Sequence, residues 1–105
     1  MTTRHLFEIL LPLYDNEGHR FGKEPFETTH AELIDRFGGL TAHMRAPARG
    51  VWQSDEGEVT HDDIVIFEVM ADDVDEAWWT RYKATLEARF RQDEIIVRVS
   101  DVAIL

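Results

Sequence analysis

Two stretches of this chain repeat one another. LFEIL at residues 6–10 returns as IFEVM at 66–70, and AELIDRF at 31–37 returns as ATLEARF at 84–90. The common skeleton is F-E-[IV]-[LM], an apolar run of strand type, followed by A-x-L-x-x-R-F at helical spacing. A chain built from two such halves is confined to a small set of topologies with an approximate two-fold between the halves. In both halves the apolar strand carries one carboxylate at its middle, Glu8 and Glu68.

The remaining elements fill in around this repeat. Residues 5–13 read as a strand in which Phe7, Ile9, Leu11 and Leu13 share one face and Leu6, Glu8, Leu10 and Pro12 the other. Residues 14–25 are rich in turn formers. Pro25 suits the first turn of a helix, and Phe26, His30, Leu33, Ile34 and Phe37 recur at helical spacing until Gly38 and Gly39 end it. His30 is expected to be partly buried within that stripe.

Residues 40–46 read as a second strand and 59–71 as a third, strongest at 64–70. Between them Pro47 to Gly50 suggests a bend and SDEG at 54–57 a hairpin turn. Asp73 with Glu76 predicts a capping box for a second helix that carries Trp78, Trp79, Tyr82, Leu86 and Phe90 on one arc. EIIVRV at 94–99 predicts the last strand. The order βαββαβ is that of the ferredoxin-like α+β fold. It places a four-stranded antiparallel sheet under two helices, with the first and third strands at the centre. At 105 residues the expectation is one domain over 1–105.

Strand parity sorts the side chains. Phe7, Ile9, Leu11, Val65, Phe67, Val69, Ile95, Val97 and Val99 are expected to face the helices. Glu8 and Glu68 then point to the other, open face with Leu6, Leu10, Ile64, Ile66, Met70, Ile96, Arg98, His43 and Arg45. Such a face is too apolar to stand bare in water and too charged to close as a dry core. Arg98 on a neighbouring strand is placed to meet Glu8, and Arg45 or His43 to meet Glu68.

Two readings of this face follow. Two subunits pack the faces together and the charges form an ionic seam, which is the expectation preferred on general grounds. Alternatively the face and its cover enclose a small molecule, with Arg98, His43, Arg45, Tyr14 and Trp52 as ligand-binding candidates. If Glu8 and Glu68 come together they form an acid/base pair of the kind that shares a proton.

Composition excludes several functions. Acidic residues outnumber basic ones 21 to 11, a net charge of −10, so a phosphate backbone or an anionic membrane surface repels the chain. No apolar run approaches the length of about 20 residues that spans a bilayer, and no signal-peptide pattern opens the chain. Cysteine is absent, which removes disulfides, thiolate metal sites and cysteine nucleophiles and fits a cytoplasmic location. The five histidines form no ligand pair at metal-binding spacing, and nucleotide-binding glycine motifs are missing, so neither a metal nor a cofactor is expected.

RFGGLTA at 36–42, GVW at 50–52 with the acidic glycine turn after it, and YKATLEARFRQDEI at 82–95 resemble an uncharacterised group of short bacterial proteins. The resemblance covers most of the chain after residue 25. It implies the ferredoxin-like fold and a bacterial source, and it assigns no activity and no catalytic residue. The expected function is a small homodimer that binds a small molecule or a protein partner through its open sheet face. A small cofactor-free enzyme of the dimeric α+β barrel type, using Glu8 and Glu68, is the alternative, and a purely structural module is a third.

Overall fold

A computed structural model describes residues 1–45 and 64–105. The elements follow the order β1 (Thr2–Pro12), α1 (Glu24–Phe37), β2 (Thr41–Arg45), β3 (Ile64–Ala71), α2 (Glu76–Arg89) and β4 (Ile96–Ile104). The sheet is antiparallel throughout with strand order β2-β3-β1-β4. The first and third strands therefore lie at its centre. The bend after residue 46, the 54–57 turn and the start of the expected third strand fall outside the described residues.

The helices cover one face because each carries an apolar stripe matched to one strand parity. Phe7, Ile9, Leu11, Phe67 and Val69 meet Leu33, Trp79, Tyr82, Leu86 and Phe90 in one buried cluster. Phe7 stacks on Trp79 with ring centroids 4.5 Å apart, and Phe90 takes Phe21 and Phe26 edge-on. The repeat is visible in this core. Leu33 and Leu86, its equivalent leucines, are both fully buried. Trp79 lies inside, whereas its neighbour Trp78 stacks half-buried on Tyr82 beneath the Arg36 guanidinium.

Helix α1 begins with Pro25 in its first turn and ends at Gly38, whose φ of 80° is the left-handed conformation that glycine adopts without strain. Helix α2 starts two residues later than the expected capping box places it. Asp75, not Asp73, is its N-cap, and its carboxylate accepts from the Trp78 backbone N–H at 3.1 Å. Both aspartates satisfy the residue preference of a cap. The one that wins leaves Trp79 and Tyr82 facing the sheet.

Two further expectations change. His30 is exposed, its ring edge-on to Phe67, and the buried position of that turn is Thr29. The Thr29 hydroxyl donates to the Pro25 carbonyl at 2.7 Å, so a polar side chain sits in the core at no cost in unmet hydrogen bonds. The last strand runs to Ile104 rather than ending at 99, and it starts only after Ile95. Val99 keeps the helix-side parity, opposite Phe7, yet is 50 % exposed on this edge strand.

Candidate functional site

The register brings the two acids of the repeat face to face. Glu8 on β1 lies directly opposite Glu68 on β3. On its other side Glu8 lies opposite Arg98 of β4, and Glu68 lies opposite Thr41 of β2. One lateral row thus crosses all four strands as Arg98, Glu8, Glu68, Thr41. Directly opposed side chains have Cβ atoms about 4.5–5.5 Å apart, and like charges in that position repel.

Each acid is met by a basic side chain from the outer strand on its side. Arg98 Nη2 reaches Glu8 Oε2 at 3.5 Å, and His43 Nε2 reaches Glu68 Oε1 at 3.1 Å. His43 achieves this diagonally, since its direct partner is Ile66. The acids are the more enclosed members, with a quarter of each side chain accessible against about half for Arg98 and His43. Opposite charges across strands contribute about 0.2–1 kcal/mol each, which offsets the repulsion at the centre without removing it.

Apolar side chains frame this row on both sides along the strands. Leu6, Leu10 and Ile64 are half-buried, Ile66 is 7 % exposed, and Met70 and Ile96 are open to solvent. The arrangement offers two carboxylates, a guanidinium and an imidazole on an apolar floor. Such a set can hold a small molecule by hydrogen bonds of both signs, or exchange a proton with it.

The other candidates are placed differently. Tyr14 lies beyond the end of β1, where its backbone bridges to Arg20. Arg45 ends β2 opposite Ile64. The side chain of Arg45 and the whole of Trp52 lie outside the described residues. Among the described residues no group of three His, Asp or Glu side chains is positioned to hold a metal ion. No described helix is long and apolar enough to cross a membrane.

Two features escaped the sequence. The first is a clamp between the helices: Arg89 donates to both oxygens of Glu32, at 2.7 and 3.0 Å, and to Thr29 at 2.8 Å, while the Tyr82 hydroxyl donates to Glu32 at 3.0 Å. The bond from Arg89 holds the Glu32 carboxyl below its ordinary range. Burial, reinforced by Glu32, pushes the Tyr82 phenol far up. The second is an open groove of about 420 Å³ on the helix side, between Phe37, Ala71 and Trp79 and a rim of Asp72, Asp73 and Asp75. It shares no residue with the acid row. Arg4 and Arg36 already pair with Asp72 and Asp75 at that rim.

With this geometry in place, the fold can be set beside known proteins. No family model and no curated protein matches the sequence. Among solved structures, a phage SAM lyase in complex with S-methyl-5′-thioadenosine aligns over 92 % of this chain and 80 % of its own, with a TM-score of 0.55 at 16 % identity. That likeness and the observed strand order establish the class: an α+β protein with the ferredoxin-like fold.

Proposed function

We propose that this protein is a cytoplasmic homodimer that binds a small molecule on the open face of its sheet, with a second copy covering that face. The observation that carries the reading is the row Arg98, Glu8, Glu68 with His43 beside it, set in an apolar surround. An apolar surround favours cover. A dry cover over four ionisable groups costs several kcal/mol in desolvation unless every group is satisfied. A polar ligand held between the acids and their cations satisfies them. The ferredoxin-like neighbour is itself a ligand-bound protein, which supports the same use of the fold and transfers no activity. The resemblance to short bacterial proteins belongs with this proposal and adds no chemistry to it.

The test combines assembly and ligand. Size-exclusion with light scattering should show self-association, and Leu10→Lys, on the open face of a central strand, should stay folded and lower the assembled mass. Native mass spectrometry of the purified protein should show a retained small molecule, and calorimetry with S-methyl-5′-thioadenosine serves as the first defined probe. Glu8→Gln with Glu68→Gln should lose the retained molecule and keep the dimer. A wild-type monomer, or a dimer structure that is dry and fully packed at Glu8 and Glu68, overturns the reading.

A second reading has one observation in its favour. The register sets two carboxylates, the residue type that general acid/base chemistry uses, directly opposite one another on one face. In that reading the protein is a small enzyme with Glu8 and Glu68 as its acid/base pair and Arg98 holding an anionic group. It demands more than binding: each single glutamine variant must abolish turnover while retaining the ligand.

A further inference from the structure

Strand β4 forms one edge of the sheet, and among the described residues no strand pairs with its outer side. Natural edge strands are short, bulged, covered, or carry proline or charged side chains, lysine above all. β4 has nine residues, six of them apolar, with neither lysine nor proline, and its two charges, Arg98 and Asp101, are of opposite sign. It pairs with β1 residue for residue along its whole length, so no bulge turns it away. Ile96 and Ile104 on the open face and Val99 on the helix side are 50 %, 40 % and 50 % exposed. The outer row of backbone N–H and C=O groups is a template for another strand.

We propose that the occupant is β4 of a second copy, paired antiparallel about a two-fold axis at Ser100. Two copies of one strand related by a two-fold normal to the sheet keep their faces aligned, so each residue meets a partner of its own face. With the axis at Ser100 all nine residues find partners. Ile96 meets the second copy's Ile104, Val97 meets Ala103, Arg98 meets Val102, and Val99 meets Asp101. Apolar ends meet apolar ends and no like charges oppose. An axis at Arg98 or at Asp101 sets identical charges against each other and leaves part of the strand unpaired. Among the two-fold registers of β4, the axis at Ser100 alone pairs all nine residues and opposes no like charges. Joining the edges merges two four-stranded sheets and leaves the open faces free, so this contact is separate from the face-to-face dimer.

The absence of cysteine makes the test direct. Ser100→Cys stands on the axis, where opposed Cα atoms lie about 4.5–5.5 Å apart, inside the disulfide range. Ala103→Cys meets the second copy's Val97, and its own counterpart lies about 20 Å away at about 3.4 Å per residue. Mild oxidation should convert Ser100→Cys to a covalent dimer and leave Ala103→Cys monomeric on a non-reducing gel. A second pair acts on the helix side, away from the open face. Val99→Asp sets a carboxylate against Asp101 and should weaken association at least tenfold, whereas Val99→Lys should preserve it; loss of strand propensity affects both alike. Cross-linking of Ser100→Cys should survive in the Leu10→Lys background, which separates this edge from the covered face. Equal cross-linking of the two cysteine variants, none from either, its loss in Leu10→Lys, or equal behaviour of the two Val99 variants overturns the proposal.

Discussion

Glu32 accepts three hydrogen bonds from Arg89 and Tyr82 across the gap between the two helices. Its carboxyl is lowered in the folded protein, chiefly by the Arg89 hydrogen bond. The stabilisation is therefore complete above the unfolded carboxylate range and fades as the pH falls through the folded value. Urea melts between about pH 5 and pH 2 should show wild type losing stability more steeply than Glu32→Gln. The difference at neutral pH should stay near 1 kcal/mol, because the pair is partly exposed and screened. The acids of the open face predict a different balance. Arg98→Ala leaves Glu8 facing Glu68 with one cation fewer and should destabilise by about 0.2–1 kcal/mol, whereas Glu68→Gln in unliganded protein relieves the repulsion and should be neutral or stabilising. Equilibrium unfolding of the two variants side by side decides this. Parity alone placed both acids on one face, since alternation is a local property of a strand. Their direct opposition depends on register, which is set across the sheet and lies beyond any single segment. Thr29 was illegible for a related reason: its burial depends on an arginine sixty residues away that meets its hydroxyl.

At the level of elements, the start of α2 shows where local rules run out. Asp73 and Asp75 are both plausible caps by residue type, and the structure uses Asp75, whose carboxylate accepts from the Trp78 N–H. Asp75→Ala should cost about 1 kcal/mol, as loss of an N-cap does, while Asp73→Ala should cost only a few tenths. Thermal melts of the two variants test the assignment, and equal effects would contradict it. The end of α1 was easier to read, because Gly38 supplies the left-handed residue that a helix terminus needs. Gly38→Ala should destabilise by about 1 kcal/mol despite open space around its Cα. The extent of β4 was harder. Ser100 and Asp101 break its apolar alternation, and pairing to Leu6 and His5 of β1 carries the strand through them. The His5 imidazole meets the Asp101 carboxylate at 2.8 Å, which gives that interruption a partner.

For the molecule as a whole, net charge sets the conditions under which its surfaces can meet. A charge of −10 on a chain of this size makes any two copies repel at long range. The surfaces proposed to join copies are less acidic than the rest. The open face carries Arg98 and His43 beside its two acids, and β4 balances Arg98 against Asp101. Association should then be opposed by distant charges and favoured by apolar and backbone contacts at short range. Salt separates the two contributions, since the Debye length falls from about 30 Å at 0.01 M to about 8 Å at 0.15 M. Raising the ionic strength across that interval should tighten association several-fold, in contrast to an assembly held by attraction between opposite charges, which salt weakens. Light scattering over a dilution series at each salt concentration reads the dissociation constant directly. Weaker association at high salt would mean that ion pairs between copies, rather than the apolar face and the strand edge, hold the assembly together.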